Sequence, residues 1–66
     1  MSTYVLGETP RTQSEAFEAL ERVFGGDEFS AREAEEVLAE VLELNPGDAR
    51  NELNRLIRSR AVEEAS

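Results

Sequence analysis

The side chains best suited to chemistry are arginines and asparagines that cluster near the C-terminal end of an otherwise acidic chain. Residues 48–60 contain four arginines against Asp48 and Glu52, which gives a net charge of +2. Residues 1–47 contain three arginines against eleven acidic residues, which gives a net charge of −8. Arginine forks onto guanine or phosphate and asparagine pairs bidentately with adenine, so this segment carries the residue types that contact nucleic acid.

These polar side chains lie on one side of a helix if residues 46–60 are helical. At about 100° per residue, the arginines and asparagines span about 140° of the helix circumference. Apolar residues occupy the other side, between about 240° and 340° from Arg50. The pattern predicts a nucleic-acid-binding side formed by Arg50, Asn51, Asn54, Arg55 and Arg58. A solvated helix side, whose arginines pair with nearby glutamates, is the alternative interpretation.

The sequence lacks the residues that most other kinds of functional site need. The 66 residues include no cysteine and no histidine, and all seven basic residues are arginine. Disulfides and thiolate metal sites are therefore excluded, and the commonest general base and metal ligand is missing. We predict a protein that is not an enzyme and that uses no cofactor and no metal.

The apolar residues are too scattered for a membrane segment. No apolar run approaches the roughly 20 residues that span a bilayer. The N-terminal residues show neither the basic nor the apolar region of a secretory signal peptide. We therefore expect a cytoplasmic protein with no membrane partner.

The acidic composition has a second implication. Fifteen acidic residues and no lysine resemble the composition of proteins from extreme halophiles. At about 1 M salt, repulsion between such charges is screened within about 3 Å, and an acidic surface keeps the chain hydrated. Arginine-rich codon usage in a GC-rich genome is the other interpretation of the missing lysine.

Three amphipathic stretches predict the helices that position the arginines. The first covers residues 13–24, with a capping box of Thr12 and Glu15, and ends at the glycine pair 25–26. Residues 31–44 form the second, which begins at a capping box of Ser30 and Glu33. We expect one shared core, to which the three stretches contribute Phe17, Leu20, Phe24, Leu38, Leu42, Leu53 and Ile57.

The third helix and the chain ends complete the expected fold. Asn45 as N-cap and Pro46 at the first helical position predict a helix over 46–60, close behind the second. Residues 1–11 form either a frayed tail or a short strand at Tyr4–Leu6 that pairs with Ala61–Glu64. We predict a single mainly-α domain over 1–66, a three-helix helix-turn-helix with a small two-stranded β element.

This arrangement resembles the winged-helix branch of the helix-turn-helix DNA-binding proteins. The resemblance rests on a strand residue at Phe29, a helix that begins after Ser30, and the pattern PG-x-A-R-x-x-L-x-x-L at 46–56. It implies a third helix that enters the major groove of double-stranded DNA, and a homodimer that contacts two half-sites. Few residues follow Glu64, so we expect the N-terminal strand to replace part of the usual wing.

Two functions are therefore weighed. The first is a small DNA-binding, transcription-regulator-like protein that reads the major groove with its third helix. The second is a protein-protein interaction or assembly module of the same fold, in which the acidic first two helices face a basic partner or mimic DNA. Binding of duplex DNA in concentrated salt separates the two functions.

The charge balance predicts that salt stabilises the fold. Fifteen carboxylates on 66 residues repel one another, and added salt screens that repulsion. The melting temperature, followed by circular dichroism, should rise from low salt to about 1 M KCl. A melting temperature that stays flat or falls over this range would contradict the prediction.

Overall fold

Three helices pack beside a two-stranded antiparallel sheet formed by the two ends of the chain. The fold comes from a computed structural model that describes residues 2–65. The elements in chain order are β1 (Tyr4–Leu6), α1 (Glu15–Phe24), α2 (Ala31–Val41), α3 (Pro46–Arg58) and β2 (Val62–Glu64). The predicted mainly-α fold with a small β element is confirmed. The ends of the predicted domain, Met1 and Ser66, lie outside the described residues.

The first helix begins later than predicted because its N-cap is Ser14 and not Thr12. The Ser14 hydroxyl accepts a hydrogen bond from the backbone N–H of Phe17 at 3.1 Å. The predicted capping box of Thr12 and Glu15 is wrong, since Glu15 is the first helical residue. A capping box needs Glu or Gln at the third helical position, which Phe17 occupies. Gly25 ends the helix as predicted, with a φ of 56°.

The second helix begins where the sequence predicts. The backbone N–H of Glu33 donates to the Ser30 hydroxyl at 3.1 Å, and the backbone N–H of Ser30 donates to the Glu33 carboxylate at 3.0 Å. Both partners of the predicted capping box are thus satisfied, which is worth about 1 kcal/mol to the helix.

The second and third helices end earlier than predicted, at Val41 and Arg58 rather than at 44 and 60. Two residues after each helix end, a non-glycine residue adopts the left-handed region, Glu43 with a φ of 54° and Arg60 with a φ of 66°. The N–H of Leu44 then donates back to the carbonyl of Ala39 at 3.0 Å. This closure, typical of a Schellman turn, normally has glycine at the left-handed position, so the sequence carried no signal for it.

One cluster of buried apolar side chains joins the helices and the sheet. Of the predicted core, four residues are buried and three are partly buried against them; the buried ones are Phe17, Leu20, Leu38 and Leu53, and the others Phe24, Leu42 and Ile57. Val23 and Val41 also follow the apolar periodicity, but they are 53% and 50% exposed. Both lie in the last turn of their helix. Periodicity predicts the side of the helix on which they lie, but not whether another element packs against that side.

The N-terminal strand lies in the centre of the small β element. β1 pairs with β2 in the register Tyr4↔Glu64, Val5↔Glu63 and Leu6↔Val62. On its other edge, Tyr4 exchanges two backbone hydrogen bonds with Phe29, at 2.7 and 2.9 Å. The strand interpretation of residues 1–11 is thus the right one for Tyr4–Leu6. The pairing fixes both chain ends against the segment that leads into α2.

Gly7 permits the close approach of the two chain ends. Its N–H donates to the carbonyl of Ala61 at 2.7 Å. A Cβ atom at this position would lie 2.6 Å from the backbone oxygen of Arg60 and 2.8 Å from Cγ of Glu63. Such contacts are shorter than carbon atoms tolerate, so any side chain must displace backbone.

We therefore expect Gly7→Ala to lower the free energy of unfolding by about 1–3 kcal/mol. Gly26→Ala is the matched control, because nothing lies within 4 Å of a Cβ atom at Gly26. It should be neutral or slightly stabilising, since alanine restricts the unfolded chain. Urea denaturation of both variants measures the difference, and equal stabilities would show that the strand pairing does not depend on Gly7.

Candidate nucleic-acid interface

The orientation of α3 follows from its apolar side. Ala49, Leu53 and Leu56 are at most 5% exposed and belong to the same core cluster as α1 and α2. A helix with one apolar stripe must place that stripe against the core, which leaves its opposite side in solvent. The polar residues of α3 are therefore held on the outer surface of the protein.

The start of α3 is fixed by a cap that includes two polar side chains. The Asn45 side-chain oxygen accepts from the backbone N–H of Asp48 at 2.8 Å. The Asn45 amide nitrogen also donates to the Asp48 carboxylate at 3.2 Å. Pro46, at the first helical position, has its φ preset for a helix. The first turn of α3, which precedes Arg50, is thus ordered before any ligand binds.

All five residues that the sequence assigned to a nucleic-acid-binding side lie on α3 and are exposed. We call this surface the α3 outer face; it consists of Arg50, Asn51, Asn54, Arg55 and Arg58. No ion pair or hydrogen bond within residues 2–65 involves the side chains of Asn51 and Asn54. Their donors and acceptors thus face solvent.

Two of the three arginines on the α3 outer face contact glutamates. Nε of Arg50 donates to the Glu35 carboxylate of α2 at 3.4 Å, and Nη1 of Arg55 lies 3.7 Å from the Glu52 carboxylate. The arginine side chains are 71% and 79% exposed, so solvent screens these pairs. In the described part of the chain, Arg58 has no carboxylate within 4 Å. Each guanidinium therefore keeps donors available to a ligand.

Glu35 is the residue of this surface that the sequence analysis missed. Its side chain is only 23% exposed, although it is a charged residue on a helix rich in glutamate. A signal was present, because Glu35 follows buried Ala34 and precedes buried Leu38 by three residues. It therefore lies at the edge of the buried stripe, next to α3. There its carboxylate orients Arg50 and also competes with any anion that Arg50 could bind.

Other candidate sites offer less. Among residues 2–65, no group of three or more acidic side chains is placed to hold a metal ion. A depression of about 770 Å³ lies between segment 8–16 and the C-terminal half of α3, and Arg55 forms part of its rim. None of the described helices has the length and apolar composition that crossing a membrane demands.

No protein-family model matches this chain, and neither a curated protein nor a solved structure is detectably similar to it. The function is therefore inferred from the geometry and charge of the α3 outer face and from the residues that carry the winged-helix resemblance.

The exposure of the α3 outer face predicts that its arginines contribute little to stability. In about 1 M KCl, where long-range charge effects are screened, the variant Arg50→Ala/Arg55→Ala/Arg58→Ala should stay folded. Its free energy of unfolding should differ from that of the parent by less than about 1 kcal/mol, because exposed ion pairs are worth little. A loss of several kcal/mol in urea denaturation would assign the arginines a structural role.

Proposed function

We propose that this protein binds double-stranded DNA through the α3 outer face, as a small transcription-regulator-like domain. The single observation that carries the proposal is the placement of three arginines and two asparagines on the exposed side of α3. That helix forms most of segment 48–60, whose net charge is +2 in a chain whose net charge is −8.

The dimensions of α3 suit the major groove. Its 13 residues make a rod about 20 Å long and, with side chains, about 10–12 Å across, and the groove is about 12 Å wide. Arg50 follows the capped first turn of the helix, and in helix-turn-helix proteins this N-terminal part contacts base edges; Asn54 lies about one turn further along the same side. Arg55 and Arg58 lie further along the helix, where they would contact phosphates. The α3 outer face thus combines side chains suited to contact base edges with side chains suited to contact the phosphate backbone of DNA.

The connections around α3 support the winged-helix interpretation. Residues 42–45 alone separate α2 from α3, as in a helix-turn-helix pair. The β1–β2 pairing supplies a small sheet directly after α3, in place of the hairpin wing. Two copies that contact half-sites one helical turn apart would provide the specificity that one short helix lacks. This function is consistent with the cytoplasmic location that the sequence predicts, in a cell that has no nucleus.

The acidic remainder of the chain makes binding depend on salt in two opposing ways. Eleven acidic residues in segment 1–47 repel phosphates at long range, and salt screens this repulsion. Added salt also weakens binding to phosphates. Each phosphate contact contributes about −0.9 to the slope of the logarithm of the binding constant against the logarithm of the salt concentration. With only two or three phosphate contacts the slope is shallow. We therefore propose that the protein works in a concentrated salt environment.

A protein partner is the second candidate function. Exposed glutamates line α1 and α2 at Glu15, Glu18, Glu21, Glu33, Glu36 and Glu40. Such a surface would attract a basic protein. This candidate predicts no binding of duplex DNA at any salt concentration, so one titration separates it from the first.

We expect fluorescence anisotropy to detect binding to duplexes selected from a random-sequence pool, over about 0.1–2 M KCl. Arg50→Ala or Asn54→Ala should cost about 1–3 kcal/mol and relax specificity at one base position. Arg55→Ala or Arg58→Ala should weaken binding to all sequences and reduce the magnitude of the salt slope by about 1.

The matched control is Arg32→Ala, which removes one exposed arginine from α2 together with its pair to Glu36. It changes the net charge as much as Arg55→Ala does, so it reports the general effect of charge. Equal losses for the two variants would contradict a specific role of the α3 outer face. A parent chain that binds no duplex at any salt concentration would refute the proposal.

A further inference from the structure

Two exposed arginines outside the α3 outer face lie beside the C-terminal end of α3. Arg60 comes directly after Ser59, the residue that caps this end of the helix. Arg11 belongs to segment 8–16 and lines the depression of about 770 Å³, which Arg55 and Ser59 line from α3. Arg11 is distant from α3 in the sequence, so the fold alone brings it to this place. We call Arg11 and Arg60 the flanking arginines.

Segment 8–16 is attached to the fold at both of its ends. At its start, the backbone N–H of Glu8 donates to the carbonyl of Arg60 at 3.0 Å. Near its other end, Ser14 is the N-cap of α1. Arg11 therefore lies in a loop whose two ends are fixed, one of them on the backbone of the other flanking arginine.

Arg60 has a backbone conformation that suits glycine better than arginine. Its φ of 66° is unfavourable for a residue with a Cβ atom, yet its N–H donates to the carbonyl of Ile57 at 3.1 Å and fixes it there. Its side chain is exposed and forms no ion pair or hydrogen bond with any of residues 2–65. The helix dipole favours a cation here, but Arg55 and Arg58 in the last turn already supply that. A strained residue without a polar partner in the described fold indicates a role in binding.

Arg11 is also exposed and has no carboxylate within 4 Å in the described part of the chain. Carboxylates nevertheless line the same depression, at Glu8, Glu15 and Glu52. Three carboxylates against two arginines disfavour a small anion inside the depression. A long polyanion that passes over its rim is a different case, because it contacts the arginines on both sides at once.

We propose that the flanking arginines contact the DNA phosphates beside the groove that α3 enters. This inference rests on the proposed function, and it adds a second contact outside α3. Arg55 belongs both to the α3 outer face and to the depression, so the flanking arginines extend the positive surface past one edge of that face. Phosphates border the major groove, which is about 12 Å wide, and contacts with them fix the position of a protein on the duplex.

Salt titrations with the duplex selected for the parent chain test the inference. At about 0.5 M KCl, Arg11→Ala and Arg60→Gly should each raise the dissociation constant about three- to ten-fold. Each should also reduce the magnitude of the salt slope by about 1, because one phosphate contact is lost. Arg60→Lys keeps the charge and should keep the salt slope of the parent. The matched control is Arg22→Ala, an exposed arginine of α1 that likewise has no ion pair within residues 2–65; it should change the dissociation constant less than about two-fold.

Thermal denaturation without DNA separates a DNA contact from a structural role of Arg60. Arg60→Gly should leave the melting temperature unchanged or raise it, since glycine adopts the left-handed region without strain. The variant should thus bind DNA less tightly although it is at least as stable as the parent. A lower melting temperature, or a salt slope that Arg60→Lys also reduces, would overturn the role assigned to Arg60.

Failure of this inference differs from failure of the proposed function. A parent chain that binds no duplex at any salt concentration removes both. If the parent binds the duplex and Arg50→Ala weakens binding, but Arg11→Ala and Arg60→Gly bind like Arg22→Ala, only the contact by the flanking arginines is refuted. Reduced salt slopes for both flanking arginines, with Arg22→Ala unchanged, support it.

Discussion

The burial of one side of α3 is the constraint on which the rest of the protein depends. Ala49, Leu53 and Leu56 bind this helix to α1 and α2, and no other orientation of α3 buries them. In so small a chain, each large core side chain is a substantial part of the total stability. The same contacts force the arginines and asparagines outward, so stability and the proposed function rest on a single helix orientation.

Much of this architecture could be predicted from the sequence, because local signals and packing agree in it. Ser30 and Asn45 cap their helices as predicted, and Phe29 is the predicted strand residue. The errors arise where tertiary contacts, and not local sequence, determine the structure. Glu43 and Arg60 end helices without a glycine, because the turn that follows must lead into a fixed position. Helical periodicity likewise could not predict that Val23 and Val41 are exposed. It specifies the side of the helix on which a residue lies, but not whether another element packs against that side.

The electrostatics of the α3 outer face balance two effects of the chain's own carboxylates. Glu35 and Glu52 attract Arg50 and Arg55 weakly toward the surface of the protein, across 3.4 and 3.7 Å. They also compete with a phosphate or a base for the same guanidinium donors. Because these pairs are exposed, their net worth is small, and a ligand with several anionic groups can displace them. The sequence gives the positions of the arginines but not these pairs, which depend on how α2 lies against α3.

The central claim is that the α3 outer face is the surface that contacts DNA, and nuclear magnetic resonance tests it most directly. Backbone amide and arginine Nε–H signals can be followed while a selected duplex is added in concentrated KCl, a method that also detects weak binding. The account predicts shifts at Arg50, Asn54, Arg55 and Arg58, with α1 largely unchanged. Shifts confined to α1 and the outer side of α2, or no shifts at any duplex concentration, would contradict it.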